Sequence, residues 1–215
     1  MALQVTAEQG WLFHFTHVSN LPNILSEQCL VSDTVTRARQ CLATEAGDPS
    51  IKARRRELVV PVPPGGHPSD YVPFYFAPRS PMLYKISRGG VPSYQGGQQP
   101  LVYVVTSVQA VVASGRPYVF SDGNCASAIS RYHQDLNQLA TTIDWEIMNS
   151  VMWADTADDP DRMRRRMAEF LIHEYLPWSA VVGVGTYDEA GKAAVLQALG
   201  PSSAVPVHVT PRWYY

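Results

Sequence analysis

Lysine is nearly missing from this sequence. Of 17 basic residues only Lys52, Lys85 and Lys192 are lysine, and with 19 acidic residues the formal charge is −2. Such a balance gives no uniform positive field, so any contact with a polyanion has to be local. Cysteine is scarce as well. Cys29, Cys41 and Cys125 are odd in number and widely spaced, which excludes a disulfide framework and is expected of reduced thiols in a cytoplasmic protein. No apolar run approaches the ~18 residues of a membrane span. Met1 to Glu8 lacks the basic stretch and apolar core of a signal peptide. With 46% hydrophobic and 17% charged residues the chain can bury a core, and one globular domain over residues 1–215 is expected.

Several catalytic signatures are also wanting. His173-Glu174 begins like a zinc-protease helix, but Pro177 stands where the second histidine belongs. Gly185 to Lys192 has glycine and lysine near P-loop spacing, with one residue too many and Ala193 in place of Ser or Thr. There is no Gly-x-Ser-x-Gly elbow, and the cysteines lack metal-ligand spacing. No metal site is expected.

What remains is an α+β pattern. Trp11 to Val18 alternates, with Trp11, Phe13 and Phe15 on one face and His14 and Thr16 on the other. Ser19 or Asn20 then caps a helix with Pro22 in its first turn and Leu21, Ile24 and Leu25 facing the core. A helix is expected from about Ser50 to Leu58, and strands at Leu101 to Ser107, Pro117 to Phe120, Val181 to Thr186 and Val205 to Thr210. Ile129, Tyr132, Leu136 and Leu139 follow helical spacing, Asp144 to Trp153 gives a further helix, and Glu189 to Leu199 another that Gly200-Pro201 stops.

The most unusual segment is Asp70 to Tyr84, which holds five aromatic residues among Pro73, Pro78 and Pro81. Val72, Phe74 and Phe76 alternate with Tyr71, Tyr75 and Ala77 as in a short strand. Because proline cannot donate to a ladder, this strand lies at a sheet edge or is broken at Pro73. Such a wall, with Arg79 beside it, suits the stacking of a planar ring or simply a buried strand. Arginines cluster at 54–56 and again at Arg162, Arg164, Arg165 and Arg166. Arginine suits bidentate phosphate contacts and stacking on bases, although two solvated helical faces would read the same. Glu169 follows the second cluster where the pattern turns apolar. It is either a carboxylate at a loop-to-strand junction or the partner of Arg165 at i,i+4 on one continuous helix.

Val72-Pro-Phe-Tyr-Phe-Ala-Pro-Arg-Ser-Pro-Met-Leu83 resembles the signature segment of DarT-type DNA ADP-ribosyltransferases, the toxins of DarT–DarG pairs. Phe13-His-Phe-Thr-His17 with Asn20-Leu21, Ile51 to Arg55, Tyr94-Gln-Gly-Gly-Gln98 and Ala168-Glu-Phe-Leu171 are similar to the same family in the same order, as are Asp144-Trp145-Glu146, Trp153-Ala-Asp155 and Trp213-Tyr-Tyr215. The resemblance implies a single-domain ADP-ribosyltransferase-like fold, a central, mostly antiparallel split β-sheet with flanking helices. It makes NAD⁺ the substrate and Glu169 the carboxylate that opens a core strand behind a target-recognising loop, Asp161 to Ala168. There the carboxylate would steady the positive charge that builds on the ribose as the nicotinamide bond breaks. It also gives His14, Thr16 and Asn20 to the cofactor. A lone strand histidine is more often structural, and His17, on the opposite face, is read that way. Arg55 is placed beside NAD⁺ and the catalytic centre, with Arg54 as its confounder. Tyr71 or Tyr75 borders the nicotinamide or the extruded base.

By the same resemblance the acceptor is a base in single-stranded DNA, thymine at its ring nitrogen, gripped by Arg79, Arg162, Arg164, Arg165 and Arg166. A ring nitrogen is reachable only when the base is out of the duplex. A macrodomain antitoxin is the implied partner, and a monomer is expected. Guanine or RNA as acceptor and a non-catalytic strand-binding module are the alternatives. Met167 stands where protein-arginine modifiers carry Glu or Gln, which argues against an arginine acceptor. The segment Phe120-Ser-Asp-Gly-Asn-Cys-Ala126 lacks a histidine that a member of the family carries, so a DNA-gripping role for that loop is in doubt.

Overall fold

A computed structural model describes residues 10–215. The reading of Met1 to Glu8 lies outside them. Strand β1 (Trp11–His17) is followed by α1 (Leu21–Ser26), β2 (Cys29–Val31), α2 (Asp33–Arg39) and α3 (Pro49–Glu57). Next come β3 (Tyr71–Tyr75), α4 (Pro81–Ser87), β4 (Leu101–Ser107), α5 (Val108–Ala113), β5 (Tyr118–Ser121) and β6 (Tyr132–His133). The chain closes with α6 (Leu139–Thr142), α7 (Trp145–Asn149), α8 (Arg162–Arg166), β7 (Glu169–His173), β8 (Tyr175–Pro177), β9 (Gly183–Thr186), α9 (Glu189–Leu199) and β10 (Val207–Val209).

Eight strands form one sheet in the order β10-β9-β4-β1-β3-β7-β5-β6, antiparallel except for the β10–β9 pair, and β2 and β8 make a small second sheet. This is the expected α+β architecture. Period-2 alternation sends Leu12, Val72, Phe74, Val102, Val104, Phe170 and Ile172 into one core and Phe13, Tyr103 and Val105 into another on the opposite face. Phe170 is fully buried, stacked on Tyr118 and edge-on to Phe76.

The sheet is split between β1 and β3. β1 pairs with β4 along its whole length, and β3 pairs with β7 along its whole length, but β1 and β3 meet at a single register pair, Phe13↔Tyr75. Pro73 is the physical reason on the β3 side, since it offers no N–H to a neighbour. β3 is therefore neither an edge strand nor broken at Pro73: it is a continuous interior strand, fully paired with β7, whose ladder to β1 alone is interrupted. Beyond this interruption His14 Nδ1 donates to the Pro73 carbonyl at 2.8 Å and bridges the two half-sheets by a side chain.

Other expectations need correction. Residues 129–139 do not form one helix: Ile129 is exposed and Tyr132–His133 is a strand paired with β5. The turn closed by Ser130 N–H on Ser127 and by Arg131 N–H on the Asp122 carboxylate directs that pairing. The helix after Asp144 stops at Asn149. Asn20 sits at the N-cap of α1 but makes no capping bond, because its side chain is used elsewhere. Glu169 does not pair with Arg165. The helix ends at Arg166 and Glu169 already lies in β7, opposite Tyr75.

Among the described residues no helix is long and apolar enough to cross a membrane. Phe170→Ala, next to Glu169 in β7, should destabilise the fold by about 3–5 kcal/mol. Urea denaturation is the check, and a loss under about 1 kcal/mol would mean the site collapses around the gap.

Candidate active site

The opening between β1 and β3 is a cleft with about 240 Å³ of free space. His14, Thr16, Asn20, Arg55, Tyr71 and Glu169, all of the expected catalytic and cofactor residues, line it. So do Phe15 and His17 from the other face of β1, because the strand edge itself is uncovered there.

Glu169 is 1% exposed, and its carboxylate accepts three hydrogen bonds from two donor groups. Arg55 Nη1 lies 2.9 Å from Oε1 and 2.7 Å from Oε2, and the backbone N–H of Cys125 donates to Oε1 at 3.1 Å. A buried carboxylate stays charged only with such compensation. Local sequence delivers Arg55. Asp48 caps α3 by accepting from Ser50 N, with Pro49 in the first turn. Lys85, together with Ser50, holds the Asp48 carboxyl down at about 2. Two turns later Arg55 faces Glu169. Arg54 is exposed and Arg56 pairs with Asp33, as the ~100° step between neighbours requires. Burial and the nearby Glu169 carboxylate raise the pKa of Tyr75, whose ring stacks on Phe15 with its centroid 6.4 Å away.

His14 has a defined tautomer. A carbonyl only accepts, so Nδ1 carries the proton toward Pro73 and Nε2 keeps a free lone pair in the neutral ring. Burial lowers its pKa and outweighs the Pro73 bond, which raises it. Asn20 is 2% exposed and fully engaged: it donates to Thr16 Oγ1 and Thr44 O and accepts from the N–H groups of Ala43 and Thr44. It acts on the cleft indirectly, by fastening residues 43–44 over it. Tyr71 is 1% exposed with its hydroxyl donated to Gly65 O. It is a wall of the cleft, and Tyr75 is the half-buried ring there.

The arginines assigned to nucleic acid have other surroundings than expected. Arg164 forks onto Asp161 and reaches Asp122, while Arg165 pairs with Asp144 and Asp159. Arg166 is 5% exposed and bonds the carbonyls of Met148 and Pro78. Arg162 bonds the carbonyls of Met152 and Ala154. Of the acids that neutralise this cluster, Asp161 is a local i,i+3 partner, while Asp144 and Asp122 lie 21 and 42 residues away, beyond what local spacing reveals. Arg79 and Arg166 instead line a second cleft of about 340 Å³, with Arg212, Trp153 and Trp213. Among the described residues no acidic side chain lines it. The Nε atoms of Arg79 and Arg166 are buried without a partner. Among the described residues no group of three or more His, Cys, Asp or Glu side chains is arranged to hold a metal.

The family model for "ssDNA thymidine ADP-ribosyltransferase, DarT" matches residues 13–215. The chain belongs to the DarT family. A DNA ADP-ribosyl transferase of Thermus sp. (strain 2.9) is 38% identical over 207 residues, covering 95% of both chains. One of Mycobacterium tuberculosis is 34% identical over 211 residues, 95% of this chain and 89% of that one. Thermus sp. 2.9 DarT in complex with ADP-ribosylated ssDNA superposes with a TM-score of 0.90 at 35% identity, covering 97% of each chain. The same protein in complex with NAD⁺ gives 0.82 at 34% identity, covering 96% of this chain and 98% of that one. As a DarT-family member the chain is an NAD⁺-dependent DNA ADP-ribosyltransferase acting on thymidine in single strands.

The lowered pKa of His14 has a defined sign in stability. As pH falls through the ordinary value of 6.5 the unfolded chain takes up a proton that the folded chain refuses, so stability drops there until the folded pKa is passed. His14→Gln should remove this share, so wild type should lose more stability than the variant between pH 7.5 and 5.5 in urea titrations. Equal losses would mean the ring is not held neutral.

Proposed function

We propose that the cleft between the half-sheets binds NAD⁺ with its reacting ribose at Glu169, and that the second cleft guides the DNA strand. The observation that carries this reading is the Glu169 carboxylate, buried and held by three hydrogen bonds yet lining an open cleft. When bound, NAD⁺ supplies the ADP-ribosyl group and the nicotinamide that leaves. Glu169 accepts a hydrogen bond from a ribose hydroxyl and places negative charge where positive charge develops. The free Nε2 of His14 accepts from another hydroxyl, and the Tyr75 ring packs on a planar group. Arg55 keeps Glu169 ionised and favours loss of the proton from the thymine ring nitrogen, which Glu169 takes as the new N–C bond forms.

The ridge between the two clefts is short. Tyr75 and Met167 line the first, and their chain neighbours Phe76 and Arg166 line the second. A strand seated among Arg79, Arg212, Trp153 and Trp213 therefore lies just across this ridge from the cleft that holds Glu169, with arginines for phosphate and rings for stacking. A toxin role with a macrodomain antitoxin fits this reading. A DNA ADP-ribosyl transferase-DNA ADP-ribosyl glycohydrolase fusion protein of Thermosipho africanus is 20% identical over 208 residues, 95% of this chain and 49% of the fusion. We place the protein as a monomer in the cytoplasm, where its three free thiols would stay reduced.

Labelled NAD⁺ offered with thymidine-containing oligonucleotides, RNA or protein should label only the DNA, and nucleoside mass spectrometry should find the adduct on thymine. Glu169→Gln should abolish transfer while keeping the shape of the site. A variant with more than about a tenth of the wild-type rate would remove Glu169 from the chemistry. Arg55→Ala should both inactivate and destabilise, by about 3–5 kcal/mol, because it strands a buried carboxylate. Arg54→Ala should stay within about 0.5 kcal/mol of wild type. Arg79→Ala should weaken oligonucleotide binding and lower its salt dependence by about one counterion without altering NAD⁺ binding. An unchanged salt slope would take the strand elsewhere.

A further inference from the structure

We infer that Arg164 is a positioning residue for the catalytic carboxylate, acting through the loop that carries the Cys125 N–H. This rests on Glu169 being the reacting group. The loop from Ser121 to Ser130 has little regular structure, and Arg164 ties it down in three places. Its Nη1 donates to Asp122 Oδ1 at 2.8 Å and to Ser130 Oγ at 3.2 Å, and its own carbonyl accepts from Asn124 N–H at 3.0 Å. Ser130 Oγ passes the bond on to the Asn124 carbonyl at 2.7 Å. The next residue, Cys125, then presents its N–H to Glu169 Oε1.

Arg164 is itself fixed. Nε and Nη2 form a fork on the Asp161 carboxylate, each bond 2.7 Å. Four of the five guanidinium protons are thus engaged inside the protein, which leaves at most one for a phosphate. Space has been cleared for it as well: a Cβ on Gly123 would fall 2.1 Å from Nη1. Ser121 completes the cradle, since its hydroxyl accepts from Glu169 N–H at 3.2 Å and donates to Gly123 O at 2.6 Å.

The carboxylate is therefore gripped from two sides. Arg55 supplies charge from α3, and the loop supplies one directional N–H that fixes the carboxylate's rotation about its last bond. Without that N–H Arg55 still neutralises Glu169, but the oxygen that meets the ribose hydroxyl can swing. A misplacement of about 1 Å at a reacting group costs on the order of a hundredfold in rate.

Two variants test this by different routes. Arg164→Ala removes the tie, and Gly123→Ala keeps the charge but displaces the guanidinium. Both should lower kcat by tenfold or more while the KM for NAD⁺, the oligonucleotide Kd and its salt slope stay at wild-type values. Asp122→Ala combined with Arg164→Ala should be no worse than Arg164→Ala alone. A wild-type kcat in folded Arg164→Ala, or in folded Gly123→Ala, would overturn the inference. So would a loss of DNA affinity with a lower salt slope at unchanged kcat, which is the behaviour of a phosphate contact. Glu169→Gln run alongside separates the two levels. If it is inactive while Arg164→Ala is fully active, only this inference fails; if it is active, the catalytic reading fails with it.

Discussion

A carboxylate that must stay charged inside a protein forces a large part of the surrounding structure. Glu169 is nearly inaccessible, so its charge has to be met by a largely buried cation with good geometry. Arg55 meets it with one nitrogen on both oxygens, and that contact spans 114 residues of sequence. The consequences run outward. α3 needs a firm start, hence the Asp48 cap with Pro49 behind it, and Lys85 of α4 steadies the cap in turn. β7 needs a rigid bed, supplied by full-length pairing with β3 and by the stacked rings of Tyr118, Phe120 and Phe170. Those rings fix the backbone on which the carboxylate sits.

A charge walled off completely would be useless, and the split sheet resolves that conflict. β1 and β3 stay joined at the Phe13–Tyr75 pair, beside Glu169, and part beyond it, so the cleft opens next to the carboxylate. Pro73 interrupts the ladder without unravelling it, because its other edge remains paired with Leu171 of β7. The single bond from His14 to Pro73 replaces several backbone bonds, and in doing so it sets the histidine tautomer. One residue thus opens the cleft, and the residue that spans the opening becomes a hydrogen-bond acceptor within it.

Sequence patterns recovered what depends on local periodicity. β1, β4, α3 and α9 fall where alternation, caps and the Gly200 stop put them. They marked Pro73 as a disturbance of the ladder, but the strand is neither at an edge nor broken: only its pairing with β1 is lost. α2 and α4 do carry local start signals, the Ser32 cap and the Ser80-Pro81 cap, but are too short for helical periodicity to stand out, and the β2–β8 pair depends on distant partners. The segment around Ile129 shows the opposite failure: a helical spacing of apolar residues that tertiary pairing overrode. For the site, resemblance to a family supplied roles that spacing alone left open, and the structure brought the residues into one cleft. It also showed Arg164 and Arg165 already engaged by Asp122, Asp144 and Asp159, ion pairs that cannot be read from a run of basic residues.

That last difference changes how a chain of net charge −2 can handle DNA. Arginine paired with aspartate at close range contributes little field beyond its own neighbourhood, so Arg164 and Arg165 count as structure more than as charge. The cations that remain effective are those without an acid beside them, and Arg79, Arg166 and Arg212 share one cleft in which no carboxylate takes part. Burial lowers the Arg166 pKa, and the like charge of Arg79 adds to the lowering, yet a guanidinium stays protonated. Two positive groups held close together with unpartnered buried nitrogens are a standing electrostatic cost. The cost falls when an anion arrives. That relief sits just across the ridge from Glu169, where Arg166 and Met167 are chain neighbours lining different clefts, and a chain that seats a single strand there, as proposed, needs no general affinity for polyanions.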